Sequence, residues 1–280
     1  MGKILSNNSV FLLGVGAQKA GTSWLHEQLN KRPDVNFGFC KEYHFFDALT
    51  LEPFQRYRPN HAPPWRWRTW RRERFFHEPK RYFDYFTRLL NQRKCSVSGD
   101  ITPSYSCLSS NTMRWIQGEF KQRNIRTCSV FIMRDPVERL LSQQRMQLRK
   151  KGKLNPKDEL HAFTKLADKL EESKSLRSDY LGTLKSLETV FPPENISLML
   201  FEELFEPECH QRFCQQLNIP FYPLEWSKRV NASPTKATVP DSILARIGKT
   251  QAEVYQTLRR DQPQLEVERH WSTASTWCSP

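Results

Sequence analysis

The amino-acid sequence lacks several features that would assign a protein class directly. Its seven cysteines form no C-x-x-C pair, and no cysteines, histidines or carboxylates share the spacing of a metal-ligand set. No apolar run approaches the ~20 residues that a membrane-spanning helix needs. Internal repeats and low-complexity tracts are also absent. The sequence therefore predicts neither a metal centre nor a membrane span.

The start of the chain lacks a secretory signal as well. The first apolar run begins within about ten residues, which leaves no room for a basic segment, an apolar segment and a cleavage site in series. An odd number of scattered cysteines without such a signal is typical of reduced thiols. We therefore expect a cytoplasmic protein.

Size and charge are the two features of the composition that bear on function. The chain has 280 residues, of which 38% are hydrophobic, which is enough for one sizeable core. Its 43 lysines and arginines exceed its 30 acidic residues, so the formal net charge is +13. Such a charge favours anionic ligands: a nucleic acid, a membrane surface, a nucleotide or an acidic polymer. Composition alone does not choose among them.

Residues 10–29, VFLLGVGAQKAGTSWLHEQL, contain the clearest local pattern. Residues 10–13 form a short apolar run, which predicts a buried strand. Thr22 and Ser23 are typical helix-start residues, and a helical period begins at Trp24. The glycine-containing turn between them lets backbone N–H groups approach an anion, and the helix N-terminus adds positive potential. Lys19 lies inside this turn and can reach the same anion.

The spacing of this turn differs from that of a nucleoside-triphosphate loop. GAQKAGTS imitates G-x-x-x-x-G-K-[ST], but Thr22 takes the place of the lysine, which stands earlier, at Lys19. The turn can hold a phosphate-like group but lacks the ATP arrangement, which weighs against a P-loop kinase. A glycine-rich turn of an ordinary α/β protein is the alternative that needs no ligand.

A cluster of ionisable residues follows in PDVNFGFCKEYHFFD, residues 33–47. Alternating apolar residues over positions 35–39 predict a short strand that leads into Lys41, Glu42 and His44. The alternative is a solvated turn, with the two following phenylalanines in the core.

The segment RYRPNHAPPWRWRTWRRER, residues 56–74, has the most unusual composition. Arginine alternates with tryptophan, and three prolines argue against a continuous helix. The segment can contact an acidic or planar acceptor through residues such as Trp67 and Arg68, or it can be an insertion whose tryptophans pack onto the domain. Binding of single-stranded nucleic acid by phosphate pairing and base stacking is the weaker alternative.

A second strand-to-helix junction lies at residues 126–144. Apolar residues 130–132 predict a strand, and RDPVERLLSQQ follows it, with Pro136 suited to the first turn of a helix. Arg134 stands at the carboxyl end of this strand, where open α/β sheets bind ligands. Ser142 follows about two helical turns later. An ion pair between Arg134 and a local acid is the alternative.

Three further residues are weaker candidates for a functional role. Tyr105 ends the predicted loop GDITPSY, which follows a short strand around Val97. Phe201 opens the segment FEEL after a third apolar strand. Lys236 lies in a polar loop near the C-terminal helix.

These segments resemble the motifs of one enzyme family. QKAGTSWL is similar to the 5′-phosphosulfate loop of sulfotransferases that use 3′-phosphoadenosine 5′-phosphosulfate (PAPS), and R-D-P-x-x-R-x-x-S is similar to their 3′-phosphate motif. GDITPSY resembles their G-E-K-[ST]-P-x-Y segment, with Asp100 in place of Glu and Ile101 in place of Lys. The resemblance implies these donor-binding residues: Gln18, Lys19, Ala20, Gly21, Thr22, Ser23, Trp24, Arg134, Ser142, Phe201 and Lys236.

The resemblance also implies roles for individual side chains. Lys19 would neutralise charge on the leaving phosphate, Trp24 would stack on adenine, and Arg134 with Ser142 would hold the 3′-phosphate. Arginine suits phosphate because its planar fork can donate two hydrogen bonds. The resemblance implies Lys41 and Tyr105 as acceptor-binding residues. Trp67 and Arg68 are acceptor-binding candidates from the composition of residues 56–74 alone, because that stretch is variable in the family and no role there transfers residue by residue.

The segment K-E-x-H-F-F-D resembles the heparan-sulfate-type sulfotransferases, in which the glutamate is the proposed catalytic base. The resemblance thus implies Glu42 as base, with Lys41 and His44 as neighbours, and a carboxylate can take the proton of a sugar hydroxyl. Cytosolic relatives use a histidine, so His44 is the alternative. In an extended segment Glu42 and His44 would point to one face and Lys41 away from it, so the Lys41 charge need not lower the Glu42 pKa.

We therefore predict one α/β domain over residues 1–280, with a basic insertion at about residues 53–78. A P-loop-like parallel sheet of about four or five strands, flanked by helices, is expected. The predicted function is sulfuryl transfer from PAPS, without a metal, to an acceptor hydroxyl. The resemblance favours a carbohydrate acceptor, and a lipid, a polyketide or a small phenol stays open. A P-loop nucleotide kinase and a basic nucleic-acid-binding protein are the alternatives.

Overall fold

A parallel β-sheet forms the centre of the fold. The computed structural model describes residues 9–153, 155–226 and 238–277. Within these residues, four strands pair in the order β2–β1–β3–β4, and every pairing is parallel. The strands are β1 (Val10–Gly16), β2 (Val97–Ile101), β3 (Arg126–Met133) and β4 (Ile196–Leu200).

Helices flank this sheet. Their sequences place apolar residues on one face, which is the pattern of helices that cover a sheet. The helices are α1 (Thr22–Asn30), α2 (Phe46–Thr50), α3 (Trp67–His77), α4 (Lys80–Leu90), α5 (Ser110–Lys121), α6 (Pro136–Lys150), α7 (Pro156–Glu172), α8 (Tyr180–Val190), α9 (Pro207–Leu217), α10 (Asp241–Asp261), α11 (Val267–His270) and α12 (Ala274–Trp277).

Strand β1 is the interior strand on which the core is built. All seven of its residues are buried, as expected for a strand of a parallel sheet that is covered on both faces. Phe11 stacks on Phe120 of α5 with ring centroids 3.9 Å apart and meets Phe86 of α4 edge-on at 5.0 Å. The apolar run at the start of β1 therefore joins the sheet to two of its covering helices.

The order of the strands creates a switch point beside β1. The chain passes from β1 to β2 on one side and then crosses to β3 on the other side. In open α/β sheets, ligands bind outside the carboxyl ends of the strands at such a point. This topology confirms the predicted α/β domain with a parallel sheet. It also predicts that a ligand would bind at the turns that follow β1 and β3.

The strand predicted at residues 35–39 is wrong. Only Val35 forms an isolated bridge, with Val97 of β2. Gly38 has a φ of 77°, so the chain turns there instead of continuing an extended course. The apolar residues of this segment are packed individually into the core: Phe37 is 1% exposed.

Residues 53–78 contain most of a 3-10 turn and the whole of α3. A 3-10 turn covers Glu52–Tyr57, and α3 begins only after the last proline of the segment. Phe75 and Phe76 of α3 are buried, whereas Trp65 is 82% and Trp67 49% exposed. One part of the segment thus packs onto the domain, and another part remains at the surface.

Candidate active-site cleft

A cleft of about 740 Å³ lies at the carboxyl edge of the sheet. The turn after β1, the start of α1, one face of α6 and the segment after β4 line it. The ends of β3 and β4 are joined there, because the Phe201 N–H donates to the Met133 carbonyl at 2.7 Å. The cleft therefore occupies the switch point of the sheet.

The turn between β1 and α1 is shaped by its glycines and by a bond to the sheet. Gly21, the N-cap residue of α1, has a φ of 87°, and a Cβ there would stand 2.5 Å from Cδ2 of Leu204. Only glycine fits this position without strain. The Ala17 N–H donates to the Ile132 carbonyl at 2.7 Å, which anchors the turn to β3. The free N–H groups at the start of α1 then face the cleft.

Lys19 is part of a cluster of cations. Burial is the main factor that lowers its pKa, followed by the positive charges of Arg149, Arg134 and Lys150. These four cations belong to the cleft lining. Repulsion among them is relieved by a bound anion, so the pKa shift of Lys19 and the geometry of the turn both indicate an anion site.

Arg134 is fixed at the end of β3. Its guanidinium donates to Oε2 of Glu138 at 3.1 Å and, more weakly, to the Lys19 carbonyl at 3.4 Å. Its Cζ lies 4.8 Å from the ring centroid of Phe201. Lys19 and Arg134, 115 residues apart in sequence, are therefore in direct contact.

A buried carboxylate positions the helix that follows Arg134. Asp135, 1% exposed, caps α6 by accepting from the N–H groups of Val137 and Glu138. The same carboxylate accepts from the hydroxyl groups of Tyr255 and Thr273. The C-terminal helices thus hold the start of α6, and with it the register of Ser142 along the cleft.

Five residues of α6 line the cleft: Ser142, Arg145, Met146, Arg149 and Lys150. Ser142, Arg145 and Arg149 follow each other at intervals of three and four residues, so they share one face. Arg145 is held by a buried ion pair, in which its Nε donates to Oε2 of Glu159 at 3.1 Å. Arg149 is exposed and adds its charge to the opening of the cleft.

A chain of ionisable side chains lies on the other side of the α1 N-terminus. Lys41 Nζ donates to Oε1 of Glu42 at 2.6 Å and to Oγ of Ser23 at 2.7 Å. Oε2 of Glu42 is 3.4 Å from Nε2 of His44, and Nδ1 of His44 is 2.7 Å from Oδ2 of Asp47. The expectation that Lys41 would point away from Glu42 is therefore wrong.

These contacts set the charges of the chain. Burial by itself raises the pKa of Glu42, but the hydrogen bond from His44 and the charge of Lys41 outweigh it and lower the pKa to about 2. Burial likewise lowers the pKa of His44, but hydrogen bonds to Asp47 and Glu42 outweigh it and raise the pKa to about 9. At neutral pH Glu42 is a carboxylate and His44 an imidazolium.

The wall opposite the anion site carries an aromatic ring and a further cation. The ring of Tyr57 stacks on that of His44, with centroids 4.0 Å apart and an interplanar angle of 11°. Arg177, from the 3-10 turn Leu176–Ser178, lines the same part of the cleft, and its Cζ lies 4.9 Å from the ring centroid of Phe54. Because His44 stacks on the Tyr57 ring and the Arg56 Cζ lies 5.1 Å from its centroid, this end of the cleft offers positive charge beside an aromatic ring that is already packed.

The structure brings most residues of the sequence prediction into this cleft. Phe201, Arg134 and Ser142 lie there, together with the glycine turn before α1 and with Glu42 and His44. The predicted site residues that line the cleft are Gln18, Lys19, Gly21, Thr22, Ser23, Trp24, Glu42, His44, Arg134, Ser142 and Phe201.

The other predicted residues that the structure describes are not in the cleft lining, although one of them, Lys41, contacts Ser23 and Glu42, which are. Tyr105 is 0% exposed, and its hydroxyl donates to Oδ2 of Asp100 at 2.6 Å, so its side chain is part of the core. Trp67 and Arg68 lie on the surface of α3, outside the cleft lining. Ala20 is 0% exposed, and Lys236 lies outside the described residues.

Trp24 borders the cleft but is packed. It is 2% exposed, and its ring meets that of Phe205 edge-on at 5.1 Å and lies 6.1 Å from that of Trp226. Stacking of adenine on Trp24 therefore requires these rings to move apart.

Sequence reasoning missed several cleft residues. Arg145 and Arg149 could have been found, because they continue the helical face of Ser142 by three and seven residues. Tyr57 and Arg177 carry no local signal, since each reaches the cleft through a 3-10 turn whose position depends on tertiary packing.

Within the described parts of the chain, no group of three potential metal ligands is present, and no helix is long and apolar enough to span a bilayer. The six cysteines in these parts form no disulfide with one another. The cytoplasmic location expected from the sequence stays a prediction.

Comparison with known proteins identifies the domain. The family model of the sulfotransferase domain matches residues 9–232. The crystal structure of a sulfotransferase from Alicyclobacillus acidocaldarius superposes with a TM-score of 0.54 at 19% identity, covering 96% of this chain and 98% of that one. No curated protein sequence matches.

Two further solved structures are sulfotransferase domains. The domain of the Synechococcus PCC 7002 olefin synthase has a TM-score of 0.46 at 11% identity and covers 87% of this chain and 94% of its own. The domain of the curacin biosynthetic pathway has a TM-score of 0.48 at 12% identity and covers 88% and 97%. Because the family model matches most of this chain, the protein belongs to the sulfotransferase family.

Proposed function

We propose that this protein transfers the sulfuryl group of PAPS to a hydroxyl group of a carbohydrate. The observation that carries the proposal is the meeting of Lys19, Arg134 and Glu42 in one cleft, although they lie in three separate segments of the chain. An anion site beside a positioned carboxylate is the arrangement that sulfuryl transfer to a hydroxyl requires.

The residues present fit a donor with two anionic ends. The turn at Lys19 and the α1 N-terminus suit the 5′-phosphosulfate, and Arg134 with Ser142 suits the 3′-phosphate. A further polar atom is left for the donor: Oε1 of Gln18, in the cleft lining, is buried and has no hydrogen-bond partner among the described residues. As an acceptor, it suits a hydroxyl or amino group of the nucleotide and not its phosphates. PAPS would supply the activated sulfuryl group.

Two side chains then act on the transfer. Glu42 accepts the proton of the acceptor hydroxyl as its oxygen bonds to sulfur. Lys19 neutralises the charge that develops on the oxygen that leaves sulfur. As in phosphoryl transfer, positioning and electrostatic stabilisation supply most of the catalysis.

His44 is better suited to hold Glu42 than to replace it as base. An imidazolium with a pKa of about 9 has no free lone pair at neutral pH. Asp47, which is fully buried and also accepts from Oγ of Ser104, fixes the ring through Nδ1. His44 would thus orient the Glu42 carboxylate toward the acceptor.

A carbohydrate acceptor is supported by the K-E-x-H-F-F-D resemblance to heparan-sulfate-type sulfotransferases and by the wall of Tyr57 and Arg177. The Tyr57 hydroxyl can hydrogen-bond to a sugar, and an arginine pairs with acidic substituents. The exposed Trp67 and Arg68 could extend this contact along a longer glycan.

Binding experiments separate this proposal from its rivals. A thermal-shift assay with adenosine 3′,5′-bisphosphate, ATP–Mg²⁺ and a single-stranded oligonucleotide should show stabilisation chiefly by the bisphosphate, because a specific ligand stabilises the native state by mass action. Stabilisation by ATP–Mg²⁺ alone would support a kinase. A shift with the oligonucleotide alone would support nucleic-acid binding.

A further inference from the structure

Lys41 stands between the donor turn and the proposed base. Its ammonium group donates to Oγ of Ser23, the second residue of α1, at 2.7 Å and to Oε1 of Glu42 at 2.6 Å. The Lys41 side chain is 30% and the Glu42 side chain 33% exposed. Lys41 thus contacts both the start of α1, beside the donor turn, and the proposed base.

The charge of Lys41 bears directly on the chemistry of Glu42. Each carboxylate oxygen faces one cation, Lys41 at Oε1 and His44 at Oε2. The third titratable group nearby is His26, which burial holds neutral by lowering its pKa to about 4. A carboxylate between two cations is well oriented but is a weak base.

An anion at the start of α1 changes this balance. The Ser23 hydroxyl and the N–H groups around it are where the proposed 5′-phosphosulfate binds, so Lys41 lies within reach of the same anion. The ammonium has three donors and one charge, which the anion and Glu42 must then share. At the 2.6 Å that separates Lys41 Nζ from Oε1 of Glu42, the attraction between the two charges is large enough to alter the basicity of Glu42.

We propose that Lys41 is a positioning residue that couples donor binding to the basicity of Glu42. Donor bound at Ser23 draws the Lys41 ammonium toward itself, and Glu42 becomes a stronger base only when there is a sulfuryl group to transfer. This inference rests on the proposed PAPS site. It adds that the donor binds first and that Glu42 becomes a strong enough base only afterwards.

The test needs no acceptor, because the coupling is reciprocal. If the donor and Glu42 compete for Lys41, removing the Glu42 charge must tighten donor binding through Lys41. Adenosine 3′,5′-bisphosphate affinity is measured by calorimetry for wild type, Glu42→Gln, Lys41→Met and the double variant. Glu42→Gln should bind about fivefold more tightly than wild type, a coupling typical of residues in contact.

Two controls isolate the coupling. In the Lys41→Met background, Glu42→Gln should change the affinity less than about twofold, since only direct repulsion by Glu42 is left. Adenosine 3′-monophosphate, which lacks the 5′-phosphate, should bind wild type and Glu42→Gln equally. Lys31→Met, which removes another ion-paired lysine at the far end of α1, should leave bisphosphate affinity unchanged.

Each outcome is decisive. Unchanged or weaker binding by Glu42→Gln overturns the coupling, and so does an equal gain with and without Lys41. A gain for adenosine 3′-monophosphate as large as that for the bisphosphate overturns the assignment to the 5′-phosphate. Failure of the wild type to bind the bisphosphate overturns the proposed function itself, and circular dichroism on each variant excludes unfolding.

Discussion

Replacing Arg134 by methionine tests the assignment of the 3′-phosphate. Methionine keeps an unbranched side chain near Phe201, where the guanidinium now packs with its Cζ 4.8 Å from the ring centroid. It removes the charge and the planar fork. The substitution therefore separates phosphate recognition from the packing of the site.

The expected loss follows from the contacts of Arg134. A charge-assisted hydrogen bond contributes roughly 1.5–3 kcal/mol, and a bidentate phosphate contact uses two. Part of this is offset because the guanidinium already pairs with Glu138 at 3.1 Å. A net loss of about 2–3 kcal/mol remains, which weakens adenosine 3′,5′-bisphosphate binding by roughly 30- to 150-fold.

Calorimetry with two nucleotides checks this value. Adenosine 5′-monophosphate lacks the 3′-phosphate and should bind Arg134→Met and wild type with affinities within about twofold of each other. Arg246→Met is a matched control, because Arg246 pairs with Asp168 and Glu171 on the surface outside the cleft lining. Equal losses for both nucleotides would refute the reasoning, since the arginine would then act on the whole site.

Three further results are expected. Lys19→Met should lower kcat about a hundredfold or more, the effect of losing one electrostatic stabiliser, and a near-normal kcat removes Lys19 from the mechanism. At saturating donor and acceptor, Glu42→Gln should lower kcat by ~10²–10⁴ and His44→Gln by less; the reverse order would make His44 the base. His44 has a pKa raised from 6.5 to about 9, so its stabilisation is complete below pH ~6.5 and is lost as pH rises through ~9. The difference in melting temperature between wild type and His44→Gln should shrink over that range, and a constant difference contradicts the ion-pair assignment.

The parts of the site that follow from local sequence were predictable. The turn before α1 and the junction at Arg134 are each a strand, a short irregular segment and a helix start in continuous sequence. Their glycine, proline and apolar residues specify the local backbone. The parallel sheet then follows, because strands that alternate with helices pair in parallel.

The orientation of Lys41 could not be predicted, because the segment around it is not extended. His44 has a φ of 49° and Gly38 a φ of 77°, so the two-residue alternation of a strand does not apply there. Lys41 and Glu42 can therefore turn toward each other despite being adjacent in sequence.

The wall of the cleft formed by Tyr57 and Arg177 depends on packing between residues that are distant in sequence. Tyr57 becomes part of it by stacking on His44, and Arg177 arrives from a turn beside α8. Neither contact follows from residue type or spacing. Tyr105 shows the opposite case: its motif position suggested an acceptor contact, but its hydroxyl serves the buried Asp100.

The most direct test of sulfuryl transfer is product analysis by mass spectrometry after incubation with PAPS and a mixture of neutral and acidic oligosaccharides. We expect an oligosaccharide that gains one sulfuryl group, together with an equal amount of adenosine 3′,5′-bisphosphate, and loss of both products in Lys19→Met. The account is contradicted if PAPS remains intact with every acceptor, or if ATP–Mg²⁺ yields a phosphorylated product instead.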